Sequence, residues 1–243
     1  ERMLTCFCPH CEQAMEEAGI DVDRLKRLFE EFSKEPLTFM DWLKYEPTSL
    51  LIQSWLRFRQ RSISSLAEKV WNTVRRWQAQ KEAKTAFWLN LWPPSFAALL
   101  GQDYASLGRV CEGAKHFPYH RLGGGADLAA FILALAGSDS AVRQEEVFRE
   151  LRGLLKLGDI SFAEYRQDGL PLSFVRDQTR WGKDLFHQNK IFAGIQIWDI
   201  PVEEIRATVE AALQGGADGL FFYCYGWATL AALDAVGEIV RGS

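Results

Sequence analysis

From Thr85 onward the chain alternates compact apolar runs with longer amphipathic stretches. Thr85–Trp92 is apolar apart from Thr85 and Asn90 and stops at Pro93-Pro94, the pattern of a short buried strand. A second run, Ala114–Tyr119, closes on His120-Arg121 and three glycines. Ile191–Trp198 and Gly219–Tyr223 are the third and fourth. Three- and four-residue spacing predicts helices over 126–136, 142–157, 173–186, 201–213 and 226–240, and leaves 158–171 irregular. Upstream, Asp21 or Asp23 caps a helix reaching about Phe32, and a polar, proline-punctuated stretch then runs from Glu35 to Thr48. A long helix follows from about Ser49 to Gln80, with Leu51, Trp55, Phe58, Leu66, Val70 and Val74 as its apolar stripe.

Strands that alternate with helices imply right-handed crossovers and a parallel sheet. A helix running into "GGADGLFF" is the pattern of a late barrel repeat, in which the chain returns to an inner strand. The expected fold is therefore α/β, of the (β/α)₈ TIM-barrel type. Four strands cannot close an eight-stranded barrel. The chain is expected to carry strands 5–8, with the first half lying upstream of Glu1 or supplied by another chain. On this reading residues 1–243 form one barrel-type catalytic domain, N-terminally incomplete, and residues 1–48 are a cysteine-containing loop and helical excursion.

Charge narrows the partners. The net charge is −4 and the 28 basic residues are scattered, which argues against nucleic acid. Arg57, Arg59, Arg61, Arg75 and Arg76 read as a solvated helix face. No run approaches the ~20 apolar residues of a membrane span, and no leader is visible. Five cysteines, three of them at Cys6, Cys8 and Cys11, are unlike a secreted disulfide framework, so a cytoplasmic setting is the expectation. The tight trio, with His10 between, has the ligand density of a structural zinc loop, free or redox-active thiols being the alternative. Cys111 and Cys224 read as buried and inert. Nine tryptophans, several beside prolines or at strand ends, offer flat apolar faces suited to sugars as well as to cores.

The succession "CFCPHC", "WLRFRQRSISSL", "FWLNLWPP", "GQDYASL", "FPYHR", "AGIQIWD" and "GADGLFFY" resembles bacterial glycoside hydrolases with a barrel fold. The resemblance covers most of residues 1–243 and maps them to the later half of the barrel. Its "Cys-x-Cys-x-x-Cys" loop is similar to the zinc-carrying loop of some barrel β-galactosidases. It implies a glycosidase acting on a carbohydrate through carboxylate chemistry. Retaining enzymes of this kind end their seventh strand in glutamate, whereas here Trp198-Asp199 stands at that place and no glutamate follows before Glu203.

Barrel sites sit at the C-terminal strand ends. Those positions are Asn90 and Trp92, then Tyr119, His120 and Arg121, then Gln196, Trp198 and Asp199, then Tyr223, Tyr225 and Trp227. Asp199 is the candidate catalytic carboxylate, with capping of the next helix as its structural alternative. The others, with Asp103, are candidate substrate contacts, and Arg121 beside Gly123–Gly125 suits an anionic group. That glycine run lacks dinucleotide-fingerprint spacing. The alternative functions are a carbohydrate-binding barrel without its catalytic pair, and a metal-dependent lyase or isomerase ligated by His120 and Asp199. A homo-oligomer is a further expectation.

Overall fold

The computed structural model describes residues 6–34, 46–82, 84–121, 128–136, 140–186 and 189–242. The glycines at 123–125 and most of the proline-punctuated stretch lie outside them. Three helices come first: α1 (Pro9–Glu17), α2 (Val22–Lys34) and α3 (Glu46–Lys81). Asp21 caps α2, accepting from the Arg24 backbone N–H at 2.9 Å. The four expected strands follow as β1 (Trp88–Leu91), β2 (Gly113–His116), β3 (Lys190–Gln196) and β4 (Gly219–Tyr223). They form one all-parallel sheet in the order β1-β2-β3-β4.

Short helices α4 (Pro94–Ala97) and α5 (Tyr104–Leu107) join β1 to β2. The β2–β3 crossover carries α6 (Ala129–Ala136), α7 (Ala141–Leu155), α8 (Phe162–Asp168) and α9 (Leu172–Phe186). Helix α10 (Val202–Gln214) joins β3 to β4, and α11 (Leu230–Arg241) ends the chain. The segment expected to be irregular holds α8, closed by a capping box in which the Ser161 hydroxyl and Glu164 carboxylate satisfy each other's backbone N–H. Among the described residues no helix is long and apolar enough to cross a membrane.

Each strand buries one set of side chains against helices. Ala193, Ile195 and Ile197 pack on α9, α10 and α11 with Val175, Ile205, Val209 and Ala212, whereas Ile191 joins the cluster around Leu91 and Ala114. Leu91 and Ala114 pack with Ala67 of α3 and Leu107 of α5. His116 of β2 lies on this helical side, with Nε2 3.1 Å from the Thr179 hydroxyl. That hydroxyl donates to the Val175 carbonyl at 2.7 Å, so the histidine is the donor to it and carries its proton on Nε2. A separate core gathers α6, α7, α8 and the start of α9 around Phe148, Phe162 and Tyr165. Another joins α1, α2 and the first half of α3.

The opposite sheet face carries aromatic rings with no helix over them among the described residues. Trp88, Phe192 and Phe221 meet edge-on or tilted, at 4.8 Å between Trp88 and Phe192 and 5.5 Å between Phe192 and Phe221. Their spacing depends on glycine. A Cβ at Gly113 would stand 2.9 Å from the Trp88 ring, and one at Gly219 only 2.5 Å from the Phe192 ring. Each ring thus lies across the bare backbone of the next strand.

Helix α3 departs from the expected stripe. Leu51 and Trp55 are buried, but Leu66 and Val70 are exposed while Ala67 is buried and Ile63 packs beside it. The inward line runs Ile52, Trp55, Arg59, Ile63, Ala67, at steps of three and four, with Arg59 and Ile63 half-buried. Arg59 is therefore not a solvated residue. It lies over the Trp55 ring at 5.0 Å and donates to the Leu99 carbonyl.

Gly219→Ala is expected to destabilise the fold by about 1–3 kcal/mol, through overpacking against Phe192. Gly153→Ala, where an added methyl meets open space in α7, should be neutral or stabilising by roughly 0.4–1 kcal/mol. Urea unfolding of the two variants checks both signs.

Candidate functional site

The C-terminal ends of β2, β3 and β4 converge on a group of aromatic side chains. Pro118 ends β2 and turns the chain so that Tyr119 stacks on Tyr223, ring centroids 4.7 Å apart at 21°. Phe117 stacks on the far side of Tyr119 at 5.6 Å. Gly194 makes this possible, since a Cβ there would come within 3.1 Å of the Tyr119 ring. Burial and the adjacent Tyr223 push the Tyr119 phenol far above its ordinary value, so it stays a neutral donor or acceptor. Lys115 projects onto the same face, its ammonium 5.4 Å from the Tyr223 ring and 5.8 Å from the Phe221 ring. Partial burial lowers its pKa.

At the end of β3, the fully buried Gln196 side-chain amide donates to the carbonyls of Trp198, at 2.8 Å, and Asp199, at 3.4 Å. These bonds shape a tight turn in which Asp199 takes a left-handed φ of 52°, a conformation aspartate tolerates better than most residues. The turn leaves the Asp199 side chain exposed. It also brings Trp198 edge-to-face with Trp227, centroids 5.2 Å apart. Trp227 and Tyr225 lie in the short 3₁₀ turn that follows β4, 66% and 72% exposed. Asp199 is thus exposed beside a half-buried Trp198, and Tyr225 and Trp227 are open to solvent.

His120 and Arg121 are engaged by a residue that strand-end reading missed, Glu204 in the first turn of α10. Arg121 Nε donates to Glu204 Oε2 at 2.9 Å, and its Nη2 pairs with Oε1. Arg121 Nη1 also donates to the Asp168 carbonyl at 2.6 Å. The pair ties the end of β2 to α10 and α8. Chiefly through the Arg121 hydrogen bonds, the Glu204 carboxyl is held below its ordinary value. His120 is buried, with Nε2 3.5 Å from Glu204 Oε2, too long for a strong hydrogen bond. Burial outweighs that carboxylate and lowers its pKa to about 4. The signal was present in the sequence: an acidic first turn after one strand faces a basic residue after its parallel neighbour.

Three predicted contacts lie apart from this cluster. Trp92 packs into the core of α6–α8, 5.2 Å from Phe117 and 6.1 Å from Phe96, with its carbonyl accepting from the Tyr104 hydroxyl. Asn90 is exposed on the aromatic sheet face, below the strand ends. Asp103 accepts from Ser106 and lines a groove of about 850 Å³ between α3 and α5, with Arg57, Arg61 and Arg109. None of the strand-end residues lines that groove.

The three N-terminal thiols form a second site. The Sγ atoms of Cys6, Cys8 and Cys11 lie within 4.8 Å of one another, and His10 is not part of the trio. Cys8 precedes α1, where the Cys11 backbone N–H and the neighbouring thiols lower its pKa. Hydrogen bonding to Cys8 and burial push Cys11 up to about 11. A tetrahedral zinc–thiolate centre, with bonds of about 2.3 Å, needs sulfurs roughly 3.8 Å apart, so the trio fits such an ion. Cys111 is buried, whereas Cys224, in a left-handed turn after β4, is partly exposed.

No family model, curated protein or solved structure matches the chain.

His116 and His120 are held neutral by burial, with pKa values of about 3 and 4 against an ordinary 6.5. Between those limits the unfolded chain binds more protons than the folded one. Their contribution is therefore complete above about pH 6.5 and is lost as pH falls toward 4. Glu204, also lowered, acts in the same direction below its own unfolded value. Urea midpoints should fall from pH 7 to pH 5, and His120→Gln should flatten that slope.

Proposed function

We propose that the chain is the later half of a (β/α)₈ barrel and that its strand ends bind a carbohydrate. The observation that carries this reading is the edge-to-face pair of half-buried Trp198 and exposed Trp227, with the exposed Asp199 next to Trp198 in the chain and the exposed Tyr225 in the same turn as Trp227. Aromatic faces cover the apolar C–H faces of a sugar ring, and a carboxylate accepts from its hydroxyls. The stacked Tyr119–Tyr223 pair forms the floor, and Lys115 adds a donor at its edge. Gln196 acts indirectly, by fixing the turn that presents Trp198 and Asp199.

Binding is favoured over hydrolysis by the state of the carboxylates. Glycoside cleavage needs two, one protonating the leaving oxygen and one attacking or activating water. Glu204, the acidic partner identified near these strand ends, is committed to Arg121. The hydrolytic reading keeps one specific support, the left-handed backbone of Asp199 at a strand end, since strained positions gather at reactive sites. In that mechanism Asp199 is the strand-end carboxylate that stays exposed among the described residues.

The thiol trio is proposed as a structural zinc centre. Cys6, Cys8 and Cys11 would hold the ion, which would tie the start of α1 to the segment before it and supply no chemistry to the strand ends.

Titration of oligosaccharides by calorimetry tests the first reading. Trp198→Ala and Trp227→Ala should each weaken binding by roughly tenfold or more, about 1.4 kcal/mol, while Asp199→Asn should leave the fold intact and reduce affinity less. No measurable affinity across a broad glycan panel would defeat it, and turnover abolished by Asp199→Asn would replace it with the hydrolytic one. For the thiols, elemental analysis should find one zinc per chain, lost in Cys8→Ser. A metal-free protein with unchanged stability after zinc addition would reject the centre.

A further inference from the structure

The aromatic sheet face is anomalous in a parallel sheet. Such sheets are covered on both faces almost without exception, and large uncovered apolar patches mark interaction sites. Phe221, midway along the edge strand β4, is 43% exposed, and Tyr225, Trp227 and Leu230 continue the apolar surface past the end of that strand. Among the described residues both edges are also open. No described backbone group outside the sheet bonds to the free side of β1, and β4 pairs only with β3 through its ladder.

The helices that flank the two edges carry complementary surfaces. Beside β1, α3 leaves Leu66, Val70 and Trp77 uncovered along one side. Its later half is basic, with Lys69, Arg75, Arg76 and Lys81 against Glu68. Beside β4, α11 leaves Leu230 and Val240 uncovered and is acidic, with Asp234 and Glu238 against Arg241.

We propose that two copies of this chain close the sheet about a two-fold axis, β1 of each pairing in parallel with β4 of its partner and α3 of each packing beside α11 of its partner. This rests on the barrel reading given above. A two-fold rotation about the axis of the would-be barrel preserves strand direction, so each edge meets a parallel edge. Eight strands result, the number at which side chains fill a barrel interior. A face four strands wide and up to seven residues long measures roughly 19 by 23 Å at about 4.8 Å between strands and about 3.3 Å per residue. Counted on both copies, with two helix seams added, the buried surface passes the roughly 1,000 Å² of a specific interface. The basic side of α3 then faces the acidic side of α11 twice.

Light scattering on the eluting chain tests the assembly, with hydrogen exchange on the same sample. The expected mass is twice 27.7 kDa, and the outward amides of β1 and β4 should be protected and should lose protection on dilution. Phe221→Asp and Val70→Glu should each weaken association by roughly 10²-fold or more, the scale of losing a buried anchor, whereas Leu154→Glu on α7 should not. A dimer unaffected by the first two variants overturns the proposal. A monomer with freely exchanging edge amides also overturns it, but leaves the barrel reading standing. A monomer with protected edges overturns both, because the chain then covers its own sheet.

Discussion

Ring over glycine is the contact on which this architecture depends. Trp88 lies across Gly113, Tyr119 and Lys115 across Gly194, and Phe192 across Gly219. Where a side chain longer than hydrogen would collide, the strand instead exposes backbone to its neighbour's ring. The sheet can then hold large aromatics on one face without being pushed apart, while β-branched and small residues fill the helical face. The same arrangement carries Tyr119 onto Tyr223 at the strand ends.

Charge is used sparingly around those ends and for a different purpose. Arg121 and Glu204 link the ends of β2 and β3 to α10 and α8 through a forked ion pair. Asp218 does comparable work at the other end, accepting from the Ile191 backbone at 2.7 Å and from Lys183 at 2.5 Å. Among the described strand-end residues, the Asp199 carboxylate and the Trp227 indole stay exposed, and the Lys115 ammonium lies over aromatic rings. The buried histidines belong to the scaffold, since burial removes both from titration near neutrality.

Much of the sheet was legible because strand runs have sharp chemical ends. β4 occupies the expected Gly219–Tyr223, and β2 is shorter than the run Ala114–Tyr119 because Pro118 cannot continue the ladder. Helix α8 was missed although its Ser161-x-x-Glu164 box stood in the sequence; its seven residues are too few for periodicity to register. The α3 stripe was misjudged because Leu66 and Val70 look like core residues, while the position that faces the sheet is filled by Ala67 and Ile63. Tyr119, Trp198, Asp199 and Tyr223 lie, as read from the sequence, at or just past the C-terminal ends of β2, β3 and β4. The strand-end rule could not foresee that Trp92 turns into the helical core or that Arg121 is already paired. Both depend on contacts between segments far apart in the chain.

The crossover between β2 and β3 has a kinetic side. Residues 117–189 must be looped out before these neighbouring strands can meet, and closing a disordered loop grows more costly as it lengthens, by about 0.6 kcal/mol per doubling. The helices inside that loop supply most of a core around Phe148, Phe162 and Tyr165, to which Phe96 and Trp92 add from the β1–β2 connection. Early collapse of this unit shortens the span that remains to be closed. Local contacts inside the excursion thus offset part of the entropy cost of bringing β2 and β3 side by side.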